Sequence, residues 1–162
     1  MSIYRKRRRI RKKEAAKLEH EMIESAGICP FSHKDDIDVA EMGDMMLIFA
    51  HGKVVGLIIE GKAFPSLRGI LIAEPSKKHV TVDMGAVKFL YNGADVMAPG
   101  VTDADPEICE GDIVWVKEEK HGKPLVVGIA LMDGKKMVES RSGKAIKTVH
   151  SIGDKIWESD EV

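Results

Sequence analysis

The chain has 162 residues, 44% of them hydrophobic and 31% charged, with a net charge of −1. That is enough for one ordinary core or two small ones, and apolar runs such as VVGLII fall far short of the roughly 20 residues that a membrane span needs. The basic stretch from Arg5 to Lys13 leads into EAAKLEHEMIE and not into the apolar segment of a secretory signal, so a cytoplasmic protein is expected. Cys29 and Cys109 are the only cysteines and cannot supply a four-thiolate metal site, which makes reduced structural thiols the expectation. Asn92 is the only asparagine and glutamine is absent, a depletion reported for thermophile proteins, although nine methionines point the other way.

The charge is unevenly placed. Arg5, Lys6, Arg7, Arg8, Arg9, Arg11, Lys12, Lys13 and Lys17 stand against Glu14 alone, so the remainder of the chain is acidic. A block of like charge this dense repels itself in isolation and attracts polyanions. RNA, DNA or an acidic surface is its natural counterpart, the plain alternative being a solvated tail. Ala15, Leu18, Met22 and Ala26 recur at helical spacing ahead of a capping Gly27, which predicts a helix from the basic run to Ala26. Its apolar face is narrow and lacks Trp and Phe, which disfavours a membrane-lying helix.

After the Cys29-Pro30 break, IDVAEM, DMMLIFAHGKVVGLIIEG and FPSLRGILIAEP read as a small β-rich unit, with His51-Gly52 as a hairpin turn between antiparallel strands. Gly56, Gly61 and Lys62 fit the GxxxxGK spacing of a phosphate-binding loop. Ala63, however, stands where a hydroxyl would bind Mg2+, LIIE reads as strand, and Pro65 interrupts any helix that follows. The fit is coincidental. FPSLRG reads as a turn leading into the apolar ILI, and Pro75-Ser76-Lys77-Lys78 as a domain boundary.

From His79 the pattern changes. VTVD is a short strand, and Asp83 can cap a helix through MGAVKFLYNG whose Ala86, Val87, Leu90 and Ala94 form an apolar stripe ended by Gly93. VMAPGV, DIVWVKEE, LVVGIALM, KAIKTVHS and KIWES each read as strand, bounded by Gly, Asp or Pro. Five short strands and one early helix suggest a small, mostly β barrel, with Trp115 and Trp157 as structural side chains.

These same strings carry a family resemblance. GAVKFLYNGADVMAPGV, GDIVWV, PLVVGIALM and GKAIKTVHSIGDKIWE, in that order, resemble the PUA domain, an RNA-binding module named after pseudouridine synthases and archaeosine transglycosylases. FPSLRG ahead of VDMGAVKF narrows the resemblance to the malignant-T-cell-amplified-sequence family and its archaeal relatives. The resemblance implies an α+β chain, with a small α/β pre-PUA domain over 1–75, bearing the basic N-terminal helix, and a C-terminal PUA pseudo-barrel over 79–158. Eukaryotic members act with the density-regulated protein in translation reinitiation and ribosome recycling, and the densely basic start departs from their pattern. Carried over by position, the RNA-binding face of the PUA fold implies Lys88, Asn92, Gly93, Ala94, Asp95, Met97 and Pro99 on one side, Lys144, Ala145 and Lys147 on the other, and Arg141 beside them. PUA relatives grip duplex stems there and, in several cases, the 3′ CCA end.

The residues themselves support that use. Two glycines, Ala94 and Pro99 let the backbone between Asn92 and Gly100 approach a ligand and offer N–H groups to phosphate or base edges. Catalysis finds little support: GxSxG, HExxH and CxxC are absent, the histidines have no ligand spacing, and Cys29 with His33 forms an incidental CxxxH pair. No cofactor or metal is expected. The expected function is a non-catalytic RNA-binding protein acting in translation or on tRNA or rRNA, in contact with the small ribosomal subunit or with a protein partner through its first domain. The alternatives are a protein-interaction adaptor docking on the ribosome and an accessory subunit of an RNA-modifying enzyme.

Overall fold

The computed structural model describes residues 2–159. The chain divides into two compact units, one built from the residues up to Ser76 together with those from Lys155 onward, the other from Lys77–Asp154. The first unit is an antiparallel meander in the order β1 (Arg5–Arg9), β2 (Asp38–Met42), β3 (Met45–Ala50), β4 (Lys53–Ile59) and β5 (Lys62–Pro65). It also contains helices α1 (Lys12–Ala26) and α2 (Leu67–Ile72).

The basic start is where the sequence reading needs correction. Arg5–Arg9 is an edge strand, with Arg8 opposite Val39 and Arg9 opposite Asp38, and the helix begins only at Lys12. Carboxylates across the strand pair make this possible. Arg7 Nε and Arg9 Nε bind the two oxygens of Asp38 at 3.0 and 2.6 Å, and Lys6 reaches Glu41 at 3.8 Å. Ile10, 6% exposed, then anchors the strand end in a core with Ala15, Met22, Phe31, Val39, Ile48 and Val55. On α1 the buried face is the predicted one, and Gly27 closes the helix at φ 86°. His51 and Gly52 both take positive φ in the β3–β4 turn, as a tight hairpin demands. Glu60 and Gly61 do the same between β4 and β5, so the GxxxxGK string is a hairpin and not a phosphate loop.

The apolar ILI, expected as strand, is helical because Ser66 caps it. Its Oγ accepts from Gly69 N at 3.1 Å and donates to Val54 O at 2.6 Å. KIWES, also read as strand, forms the short helix α5 (Lys155–Glu158) of the first unit, where Ile156 is buried and Arg68 Cζ lies 3.6 Å from the centre of the Trp157 ring.

The second unit holds six strands: β6 (His79–Val82), β7 (Val96–Met97), β8 (Val101–Ala104), β9 (Ile113–Glu118), β10 (Pro124–Ala130) and β11 (Lys144–Ser151), in the order β7-β11-β10-β9-β6-β8. Five strand spacings of about 4.8 Å would put the edges of a flat sheet about 24 Å apart. Yet β7 and β8 are those edges, and only Ala98–Gly100 separates them, a reach of about 15 Å when fully extended. The sheet must therefore curl, as the half-barrel does. Val80, Val82, Val114, Val116, Leu125, Val126 and Ile146 fill it. Trp115, on the alternate face of β9, is 1% exposed and donates its indole N–H to Lys77 O. Asp83 caps a 3-10 turn (Met84–Ala86) that runs into α3 (Val87–Tyr91). A helix the sequence reading lacked, α4 (Gly134–Glu139), is capped by Asp133.

Among the described residues no helix is long and apolar enough to cross a membrane.

Alanine is a better helix former than glycine by about 1 kcal/mol, so Gly69→Ala in α2 would ordinarily stabilise. Here its Cβ would meet the Val55 carbonyl oxygen at 2.1 Å. The close approach should win, lowering stability by about 1–3 kcal/mol, seen as a lower urea midpoint at unchanged slope.

Candidate nucleic-acid interface

The segment from Ala94 to Gly100 forms one wall of a groove beside α3. Gly93, at φ 82°, turns the chain out of the helix. Asp95 then ties the segment down: one carboxylate oxygen accepts from the Thr148 N–H at 3.0 Å and the other from Lys144 Nζ at 3.1 Å. Thr148 Oγ1 donates to Ala94 O at 2.8 Å, and the β7–β11 register sets Lys144 opposite Met97. The bond from Thr148 N–H, reinforced by Lys144, holds the Asp95 carboxyl below the usual Asp range against a smaller opposing effect of burial.

The result is a cavity of about 640 Å³ open to solvent. Phe89, Leu90, Val96, Met97 and Pro99 supply its apolar surface, and Gly85 and Gly100 expose backbone. Phe89 and Met97 are 56% and 47% exposed, and Lys88 Nζ lies 5.1 Å from the centre of the Phe89 ring. Asp83 and Asp95 also line the groove, but Asp83 is engaged by the Ala86 N–H at 3.0 Å and Asp95 as described.

Of the residues implied by the resemblance, Ala94, Asp95, Met97, Pro99 and Lys144 line this groove. Lys88, Asn92, Gly93, Arg141 and Lys147 are exposed nearby in the fold of the same unit but are not among its lining residues. Ala145 is a correction: it is fully buried in the core, and its carbonyl accepts from Leu131 N–H, so neither group is free for a ligand. A register shift between Lys144 and Ile146 turns two successive side chains inward there. Phe89 was missed, although a signal was present, since it falls off the Ala86, Val87, Leu90, Ala94 stripe on a helix otherwise apolar on one face.

The N-terminal cations are less available than their density suggests. Arg7, Arg9, Lys6 and Arg8 face Asp38, Glu41 or Glu14, and Lys12 Nζ donates to the carbonyls of Lys34 and Asp35 at 2.8 and 2.7 Å. Arg5, Arg11 and Lys13 are exposed and have no carboxylate partner among the described residues. Burial works against the Asp38 carboxylate, but hydrogen bonds from Arg9 and Arg7 outweigh it and hold its pKa below the ordinary value. Cys29 and Cys109 are free thiols, and burial pushes Cys29 up to about 12. His33 Nδ1 lies 2.7 Å from Glu19, and among the described residues no three His, Cys, Asp or Glu side chains gather to hold a metal.

Comparison with known proteins gives this groove its context. The family model of the PUA domain matches residues 78–152, so the second unit is a PUA domain. An uncharacterized protein of Methanocaldococcus jannaschii is 48% identical over 124 residues, covering 76% of each chain. Translation machinery-associated protein 20 of Schizosaccharomyces pombe is 31% identical over 130 residues, covering 78% of this chain and 68% of that one. The crystal structure of a hypothetical protein from the archaeon Pyrococcus horikoshii superposes with a TM-score of 0.84 at 37% identity, covering 96% of this chain and all of that one. The chain belongs to the family of translation machinery-associated protein 20 and malignant T-cell-amplified sequence 1.

Removing the Asp95 tie should loosen the groove wall without emptying the core. Asp95→Ala is expected to cost about 1–2 kcal/mol at neutral pH. The folded-state value is depressed, so the contribution is present above the unfolded value of about 4 and is lost as pH falls through the lower folded value. Denaturant titrations of parent and variant should therefore converge in that acid window and diverge above it.

Proposed function

We propose that this is a non-catalytic RNA-binding protein of the translation apparatus, whose PUA groove receives an unpaired RNA end or the stem beside it, on tRNA or ribosomal RNA. The observation that carries the reading is the groove itself. It combines an exposed aromatic ring, Phe89, with apolar walls, glycine backbone and one ammonium group, Lys144, at the rim. Sequence-specific proteins read RNA mostly where bases are unstacked, by stacking them on aromatic side chains while cations and backbone N–H groups meet phosphate. The non-catalytic part of the reading rests on the carboxylates: Asp83 and Asp95 are both committed to hydrogen bonds within the fold, which leaves neither as a ready general base.

The family supports the link to translation, with the small ribosomal subunit as the natural large partner. The first unit is read as the family's pre-PUA domain, and Arg5, Arg11 and Lys13 as the N-terminal side chains able to add phosphate contacts. A second reading, an adaptor that docks a protein through the first unit, is favoured by Leu71 and Ile72 of α2, which are 57% and 56% exposed.

Binding of the purified chain to tRNA with and without its CCA end, and to small ribosomal subunits, across a salt titration, tests the reading. Lys144→Glu places a second carboxylate beside Asp95 and should weaken RNA binding about tenfold or more, reducing the slope of log affinity against log salt by about one. Arg11→Glu combined with Lys13→Glu should reduce the slope by about two while leaving any discrimination of the CCA end intact. Undiminished RNA binding by Lys144→Glu, with subunit binding lost on substituting Leu71 and Ile72, would favour the adaptor.

A further inference from the structure

The groove accounts for one flank of α3 and leaves the other unexplained. Phe89 lines the groove, whereas Tyr91, two residues on and so roughly across the helix, does not. Tyr91 is 42% exposed. Its hydroxyl accepts a 3.1 Å hydrogen bond from Lys123 Nζ, and the same ammonium lies 5.7 Å from the ring centroid. Lys123 closes the β9–β10 turn, where Lys120 and His121 are also exposed.

Acidic groups do not cancel this charge. Glu118 is 4% exposed and accepts from the N–H groups of His121 and Gly122, closing the turn from within. Only Glu119 remains exposed in the turn, against Lys120 and Lys123. The hydrogen bond between Lys123 and Tyr91 is solvent-exposed and contributes little to stability, yet it holds an aromatic face and an ammonium group side by side. That pairing is what a single nucleic-acid strand needs, with a π surface for a base and cations for its phosphates. An acidic protein would satisfy the ammonium groups and leave the ring without a partner.

We propose that an RNA strand leaving the groove crosses α3 and runs on over Tyr91, Lys123 and Lys120, so that this flank is a second, sequence-independent nucleic-acid contact. The inference rests on the reading of the groove as the RNA site. It makes the footprint of the PUA domain longer than the groove alone.

The test uses the full chain and unstructured RNA of about 4 and about 16 nucleotides, the span of known single-strand sites. Tyr91→Ala should weaken the long RNA about tenfold and leave the short one unchanged, while Tyr91→Phe, which keeps the ring, should retain most of the affinity. Lys120→Glu with Lys123→Glu should lower the salt slope by about two for the long RNA only. Unchanged thermal midpoints would confirm that these surface variants remain folded. If the long RNA binds all of them as it binds the parent while Lys144→Glu abolishes binding, the flank is not a contact and the inference fails alone. If Lys144→Glu leaves both lengths unaffected, the groove reading fails and the flank proposal falls with it.

Discussion

The Asp95 carboxylate locks the pairing of β7 with β11 at the edge of the second unit. It receives the Thr148 N–H from the middle of β11 and the Lys144 ammonium from its start, while the Thr148 hydroxyl returns to Ala94. With three hydrogen bonds the segment after α3 is fixed against the strand, and the space left between that segment and the helix is the groove. The β7–β11 ladder sets the course of the segment, and buried Leu90 and Val96 give it depth. One charged group, itself part of the groove lining, thus stiffens the geometry of the candidate interface.

Closure of the second unit imposes the same economy. Because β7 and β8 are sheet edges joined through Ala98–Gly100, the sheet curls, and the junction lies at the open side of the half-barrel with Ala98 in the core. Ala98 takes the inner side of that turn, and Met97 and Pro99 on either side of it are left exposed. An apolar lip beside the groove, formed by Met97 and Pro99, follows from strand order and connection length.

Much of this was legible in the chain. Helical spacing over Ala15 to Ala26, the His51-Gly52 hairpin and the Asp83 cap are local signals, and local signals survive folding. What was not legible depended on partners distant in sequence. Arg5–Arg9 reads as a self-repelling block until Asp38 and Glu41 stand opposite it. ILI reads as strand until Ser66 caps it and Gly69 lets it approach Val55. KIWES reads as strand because Ile156 and Trp157 are apolar, and its helical form places them with the first unit, Trp157 beneath Arg68. In the site, Ala145 was implied by position alone, and the register shift that buries it has no sequence signature.

The first unit bears on how such a protein can use its charge. A cation adds to phosphate binding only to the extent that it releases counterions from the nucleic acid without first abandoning a partner of its own. Arg9 at 2.6 Å from Asp38 would exchange one anion for another, and Lys12 would give up two carbonyls. The dense basic run therefore serves the fold first, securing an edge strand whose exposed charges also discourage pairing with other chains. Among the described residues, exposed cations without a carboxylate in contact include Arg5, Arg11 and Lys13 in the first unit and Lys88, Lys120 and Arg141 in the second, and they are more scattered. RNA binding should draw first on such cations, and on a paired one such as Lys144 where phosphate takes the place of its carboxylate, so counting basic residues along the chain overstates the strength and salt dependence.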